Sequence, residues 1–187
     1  MPLRHIPNLL STFRIILVIP VVWTLLQGQL IWSLSLFILA GLTDLLDGWL
    51  ARRQHWDTRV GGFLDAIADK ILLIAVYISL WWLEIIPAWL LGLIIGRDML
   101  IIVCTLLYRL QLKRLDPAPS KISKINTFMQ ISLAVLGINQ LGLWPIPTDV
   151  LQNIMYTVVI TIVLSTLGYI NTWYHDVKQA HEAQHTT

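Results

Sequence analysis

The sequence predicts an all-α integral membrane protein with six transmembrane helices and the fold of a single domain, and three observations carry the prediction. Hydrophobic residues make up 56% of the 187 and charged residues 13%, with a mean hydropathy of +0.69, whereas a soluble domain carries about 25% charge. Apolar runs long enough to cross about 30 Å of hydrocarbon, at roughly 1.5 Å per residue, recur six times. Nearly all basic residues fall beside one set of run ends.

The runs are expected near residues 8–28, 30–51, 62–83, 86–109, 124–142 and 149–173. Between them lie short polar or proline-marked turns: Gln27-Gly28-Gln29, Arg52 to Arg59, Glu84 to Pro87, Gln111 to Ser123, and Trp144 to Asp149. The first run contains Pro20 and is followed by no small-x-small cleavage pattern, so it reads as a retained span rather than a signal peptide. Residues 1–175 form the expected domain and 176–187 a polar cytoplasmic tail.

Orientation follows from the loops. Arg4, Arg14, Arg52, Arg53, Arg59, Arg109, Lys113, Arg114, Lys121, Lys124 and Lys178, eleven of the thirteen basic residues, gather on one side. Positive loops stay cytoplasmic, so both termini are expected there. Trp32, Trp81, Trp82, Trp89 and Trp144 mark the outer ends, and Trp49, Trp56 and Trp173 the inner ones, as an interfacial aromatic belt requires. A bacterial inner membrane is the expected location, with an organelle membrane as the alternative. The lone Cys104 gives no internal disulfide, and no nucleic-acid-binding motif occurs.

Between Asp44 and Asp69 four carboxylates interrupt apolar sequence. Asp44, Asp47 and Ala51 share one helical face, and Gly61, Asp65 and Asp69 share another. Asp44 and Asp47 fall about 12 and 8 Å from Arg52, which puts them below the cytoplasmic interface rather than at mid-bilayer. Four carboxylates at one depth repel unless cations neutralise them. Two divalent ions balance the charge, and oxygen-only ligands suit hard cations. A paired-metal site serves phosphoryl transfer, because it stabilises both the attacking and the leaving oxygen. Gly48 and Ala51 remove bulk beside the acids, and Arg52 adds a permanent cation suited to phosphate.

The pattern Asp44-x-x-Asp47-Gly48-x-x-Ala51-Arg52, eight residues, Gly61-x-x-x-Asp65-x-x-x-Asp69 resembles the full signature of the CDP-alcohol phosphotransferases, also called CDP-alcohol phosphatidyltransferases. The resemblance implies a six-span, usually dimeric membrane enzyme that transfers a phosphatidyl group from CDP-diacylglycerol to an alcohol and releases CMP. It implies that Asp44, Asp47, Asp65 and Asp69 bind two Mg²⁺ or Mn²⁺ ions. Asp47, Gly48, Ala51, Arg52 and Gly61 would hold the CDP moiety, and Asp69 would act as general base.

Over roughly residues 6–130 the chain is most similar to the cardiolipin synthases of that family. The similarity rests on Ile6-Pro7-Asn8-Leu9-Leu10-Ser11, Ala40-Gly41-Leu42-Thr43, Gly96-Arg97-Asp98-Met99 and Lys121 to Thr127. It implies phosphatidylglycerol as acceptor. Phosphatidylglycerophosphate synthases share the signature and accept glycerol 3-phosphate, but usually show Arg-Glu in place of Arg97-Asp98. Either acceptor carries a phosphate, for which Arg97, Lys121 and Lys124 are the candidate ligands. Lys70 reads equally as a structural partner for a carboxylate or as a direct participant in the site, and Gly92 with Gly96 as a close helix contact.

Two other readings are weaker. His181-Glu182-Ala183-Gln184-His185 matches a zinc-protease pattern but has no following element to supply a third ligand. A divalent-cation transporter would continue its polar groups across the bilayer, and here the outer halves of the first three spans are nearly all apolar.

Overall fold

The computed structural model is all-helical, and it describes residues 6–54, 59–112, 121–142 and 146–185, with side chains described over 12–43, 68, 70–103, 122–142 and 146–171. Six helices follow one another: α1 (Ile6–Leu26), α2 (Leu30–Gln54), α3 (Arg59–Trp82), α4 (Ala88–Leu112), α5 (Lys121–Gln140) and α6 (Thr148–His185). These are the six expected helices, with bounds within about three residues of the expected ones at every end but the last. Helix α2 continues past the expected end and takes in Arg52, and α6 continues through the segment expected to be a tail.

The turns explain themselves chemically. After α1, the Gln29 amide donates to the Thr24 carbonyl at 2.8 Å and the Gly28 amide to the Leu25 carbonyl at 3.1 Å. This Schellman arrangement needs a left-handed residue, and Gly28 supplies it at φ 71°. Glu84 takes the same place after α3 at φ 59°, with the Ile85 amide on the Leu80 carbonyl at 2.9 Å. Pro20 removes one backbone donor within α1, and the helix runs through it.

The chain divides into two compact units. In the first (Met1–Ile86 with Ala134–Ile146), α1 packs against both α2 and α3. Each helix contributes a stripe at three- and four-residue spacing: Leu17, Val21 and Leu25; Ser33, Phe37 and Ala40; Leu72, Val76 and Leu80. The Ser33 hydroxyl donates to the Val21 carbonyl at 3.3 Å and so fixes the antiparallel register of α1 and α2. Gly137 presses on the end of α3, where a Cβ would come within 2.8 Å of Leu80 Cδ1. In the second unit (Pro87–Leu133 with Pro147–Thr187), α4 packs on α6 through Leu90, Ile94, Val158 and Ile162.

The outer surface is unusually apolar. Ile19, Trp23, Ile31, Trp32 and Trp82 are all more than 60% exposed, and water does not tolerate an apolar coat of this kind on a monomer. Among the described residues one segment, Thr148–Asn171, is long and apolar enough to cross a membrane, and 28% of its most apolar stretch is buried. Thr12–Leu26, Leu30–Thr43 and Lys70–Trp82 are shorter apolar segments. The acidic and basic residues of α2 and α3 lie in their other halves, apart from Lys70 at the edge of the last segment.

Replacing Gly137 by Leu is expected to cost about 1–3 kcal/mol, because the extra atoms must displace the wholly buried Leu80. Thermal unfolding in detergent reads this as a lowered midpoint, with Gly92→Ala, whose Cβ meets nothing within 4 Å, as the control that does not lower it.

Candidate functional site

Helix α2 carries Asp44, Asp47, Gly48, Ala51 and Arg52, and α3 carries Gly61, Asp65 and Asp69. Both helices belong to the first unit and both pack on α1. By helical register, Asp44, Asp47 and Ala51 continue the stripe begun by Ser33, Phe37 and Ala40, while Asp65 and Asp69 lead into the stripe of Leu72, Val76 and Leu80. The side chains of these eight signature residues lie outside the described ones.

Counting back from the α2 end and forward from the α3 start, Asp44 and Asp69 each lie about 15 Å along their helices, and Asp47 and Asp65 about 10 Å. The backbone thus gives two carboxylates per helix at matched distances from the facing helix ends. Such an oxygen-only donor set fits hard divalent cations, whose ligands are carboxylate oxygens. Among the described residues no three His, Cys, Asp or Glu side chains come together as a metal site. The H-E-x-x-H pattern falls in the last turns of α6, with His181 and His185 side chains outside the described residues.

Arg97 sits in the second unit and is 5% exposed. Its Nη1 donates to Asp98 Oδ1 at 2.8 Å, and its Nη2 to Ser123 Oγ at 2.8 Å and Ser165 Oγ at 3.0 Å. One guanidinium therefore ties α4, α5 and α6 together. Its Nε is buried and has no hydrogen-bond partner among the described residues. Lys124 is exposed on α5, and the Lys121 side chain at the start of that helix lies outside the described residues.

Three features differ from what the sequence suggests. Gly92 and Gly96 make no close helix contact: both are exposed, and a Cβ on either meets nothing within 4 Å. They border an open groove of about 300 Å³ between α4 and α6, lined also by Leu93, Arg97, Ile162 and Val163. Small residues lower helix bulk whether or not a partner fills the space, so spacing alone does not distinguish the two cases.

A polar seam also lies along α5 and α6. Asn126 is wholly buried and its Oδ1 accepts from Thr161 Oγ1 at 3.0 Å, and Ser165 is buried one turn later. The polar residues at four-residue spacing within an apolar run, Thr161 and Ser165, were the available signal. Finally, Arg14, which the positive-inside count treats as an end marker, is 0% exposed. Its place eight residues into an apolar helix was the clue.

Replacing Asp98 by Ala is expected to cost about 3–5 kcal/mol, since it leaves a buried guanidinium without its carboxylate. Chemical unfolding in detergent measures the loss, and the double replacement Arg97→Met with Asp98→Leu recovers most of it because no unpaired charge remains buried.

Comparison with known proteins bears on the same residues. The family model described as CDP-alcohol phosphatidyltransferase matches residues 4–167, which take in both aspartate helices. A probable cardiolipin synthase (CMP-forming) of Drosophila melanogaster is 32% identical over 92% of this chain and 59% of its own length. The cardiolipin synthase (CMP-forming) of Rattus norvegicus is 36% identical over 71% of this chain and 49% of its own length. The CDP-diacylglycerol–glycerol-3-phosphate 3-phosphatidyltransferase of Pectobacterium atrosepticum is 32% identical over 94% of this chain and 98% of its own length. The chain thus spans about half the length of the cardiolipin synthases and nearly all of the bacterial relative. With the family model covering most of its residues and the signature complete on α2 and α3, the chain belongs to the membrane-associated CDP-alcohol phosphatidyltransferase family.

Proposed function

We propose that this chain transfers a phosphatidyl group from CDP-diacylglycerol to phosphatidylglycerol, giving cardiolipin and CMP in phospholipid biosynthesis. The observation that carries this reading is the pair of carboxylates on each of α2 and α3 at matched distances from the helix ends at Gln54 and Arg59. Asp44, Asp47, Asp65 and Asp69 would hold two divalent cations, Mg²⁺ or Mn²⁺. Bound there, the ions supply Lewis-acid stabilisation of the phosphoryl oxygens.

The residues of the chain do the rest. Asp47, Gly48, Ala51, Arg52 and Gly61 hold the CDP moiety, the glycine and alanine by removing bulk and Arg52 by pairing with phosphate. Asp69 accepts the proton of the acceptor hydroxyl as its oxygen bonds to the β-phosphorus. The bond from that phosphorus to the bridging oxygen breaks, and CMP leaves with the oxygen. Arg97, Lys121 and Lys124 take the acceptor's phosphate, and the buried Arg97 Nε, with no hydrogen-bond partner among the described residues, supports a role beyond the clasp.

The same reading makes residues 1–175 a six-span catalytic domain in a bacterial inner membrane or an organelle membrane. Both termini and the site would be cytoplasmic and the protein a homodimer, with residues 176–187 as a cytoplasmic extension. The basic loops and the apolar outer surface support this orientation in a bilayer.

A second acceptor, glycerol 3-phosphate, is favoured by one observation. The Pectobacterium relative bearing that name matches this chain over 98% of its own length, against 59% for the Drosophila cardiolipin synthase. Purified protein given CDP-diacylglycerol with each acceptor decides between them. Cardiolipin from phosphatidylglycerol is the expected product, and phosphatidylglycerophosphate with no cardiolipin reverses the choice. CMP release should be abolished by EDTA, restored by Mn²⁺, and reduced at least 10²-fold by Asp69→Asn, the scale of losing a general base. Full activity in EDTA would refute the reading.

A further inference from the structure

We infer that Arg14 is the resident counter-cation of the Asp44, Asp47, Asp65 and Asp69 quartet, a positioning residue that holds the carboxylates before metal arrives. This rests on the metal-binding reading above. Four observations lead to it.

Arg14 is 0% exposed and heads the fully buried side chains in size. A guanidinium keeps its charge in proteins, so a buried one must be met by a carboxylate or comparable acceptors. The first unit contains six acids: Asp44, Asp47, Asp57, Asp65, Asp69 and Glu84. Glu84 is exposed beyond the far end of α3, and Asp57 lies in the segment after α2 ends. The aspartate quartet is what remains within α2 and α3.

Register brings these acids to the level of Arg14. The Ser33 to Val21 hydrogen bond pairs α1 with α2 so that Arg14 falls near Ala40, and Asp44 follows one helical turn on, about 6 Å. Long helical side chains lean toward the N-terminus of their own helix, which on α1 is the direction of Asp44. Helix α3, in contact with α1 and two helices on in the chain, would run parallel to it if the antiparallel succession continues. Counted from the helix ends, Arg14 falls level with Asp69 and Lys70.

Space is kept for a large side chain at this level. Ala40 and Ala68, both 0% exposed, are the small residues of α2 and α3 there. Lys70 is the other cation of α3 at this depth; it is half-buried and engaged by neighbours, as Arg14 is. Its Nζ is buried too, but an ammonium is a point charge without the planar fork of a guanidinium, so it serves as the comparison.

A cation in this place does two things. It lowers the mutual repulsion of four carboxylates in the metal-free protein. It also fixes carboxylate direction, because a guanidinium binds in a planar fork where an ammonium acts as a point charge.

The test uses the full chain in detergent, freed of metal with EDTA, and reads the thermal midpoint with and without Mn²⁺. Without metal, Arg14→Met should lower the midpoint on the order of 10 °C, as for loss of one partner of a buried pair. Added Mn²⁺ should raise the midpoint of that variant more than that of the wild type, since the ions replace the missing charge. Combining Arg14→Met with Asp44→Asn, Asp47→Asn, Asp65→Asn or Asp69→Asn should recover a large part of the metal-free loss for at least one aspartate. Lys70→Met should show a smaller coupling.

Additive losses for all four combinations, or an Mn²⁺ shift unchanged by Arg14→Met, would overturn the inference. If Arg14→Met does not fold, Arg14→Lys, which keeps the charge and loses the fork, is read through the aspartate couplings alone, and additive losses for all four overturn the inference. A wild type with no Mn²⁺ shift refutes the metal-binding reading instead, and the metal-free coupling still decides the place of Arg14.

Discussion

Charge that cannot reach water governs this protein. Its helices are apolar on the outside as well as within, so a charged group placed along them must find its compensation inside the fold. Burying a charge without a partner costs several kcal/mol or more. The two compact units meet this constraint in different ways. In the second unit a single guanidinium, Arg97, is enclosed by one carboxylate and two hydroxyls drawn from three helices. In the first, two helices each bring a pair of carboxylates along the stripe by which they pack.

Each solution fixes local structure beyond its own residues. Because Arg97 reaches Ser123 and Ser165 together, the start of α5 and the middle of α6 are set against α4 by directed bonds rather than by greasy contact alone. That matters where the surrounding medium is apolar, since burying Leu or Ile between helices gains little over leaving it against lipid. The Asn126 to Thr161 bond adds a second fixed point along the same pair of helices. In the first unit the close approach of Gly137 to Leu80 and the Ser33 to Val21 bond hold the register from which the aspartate stripes are aligned.

The aspartates read differently once placed on helices of known extent. Spacing alone groups Asp44 with Asp47, and Asp65 with Asp69, because three and four residues are one helical turn. Helix ends at Gln54 and Arg59 add that the two pairs stand at equal distances from those ends. Equal depth is what turns two acidic helix faces into one candidate site, since carboxylates at different levels would each need separate compensation.

The sequence by itself determined the number and order of the helices, the signature and its membership of a family, because apolar run length and residue spacing are local properties that no packing alters. It also located Arg97 and the aspartates as charges needing partners. What it left open depended on neighbours far along the chain. That Arg97 is clasped by Ser123 and Ser165 required three helices to converge. That Gly92 and Gly96 border an open groove, and that Arg14 is wholly buried, were decided by which helix faces meet. A glycine pair or a lone arginine has the same spacing in either case, and only tertiary packing sets whether the space beside it is filled.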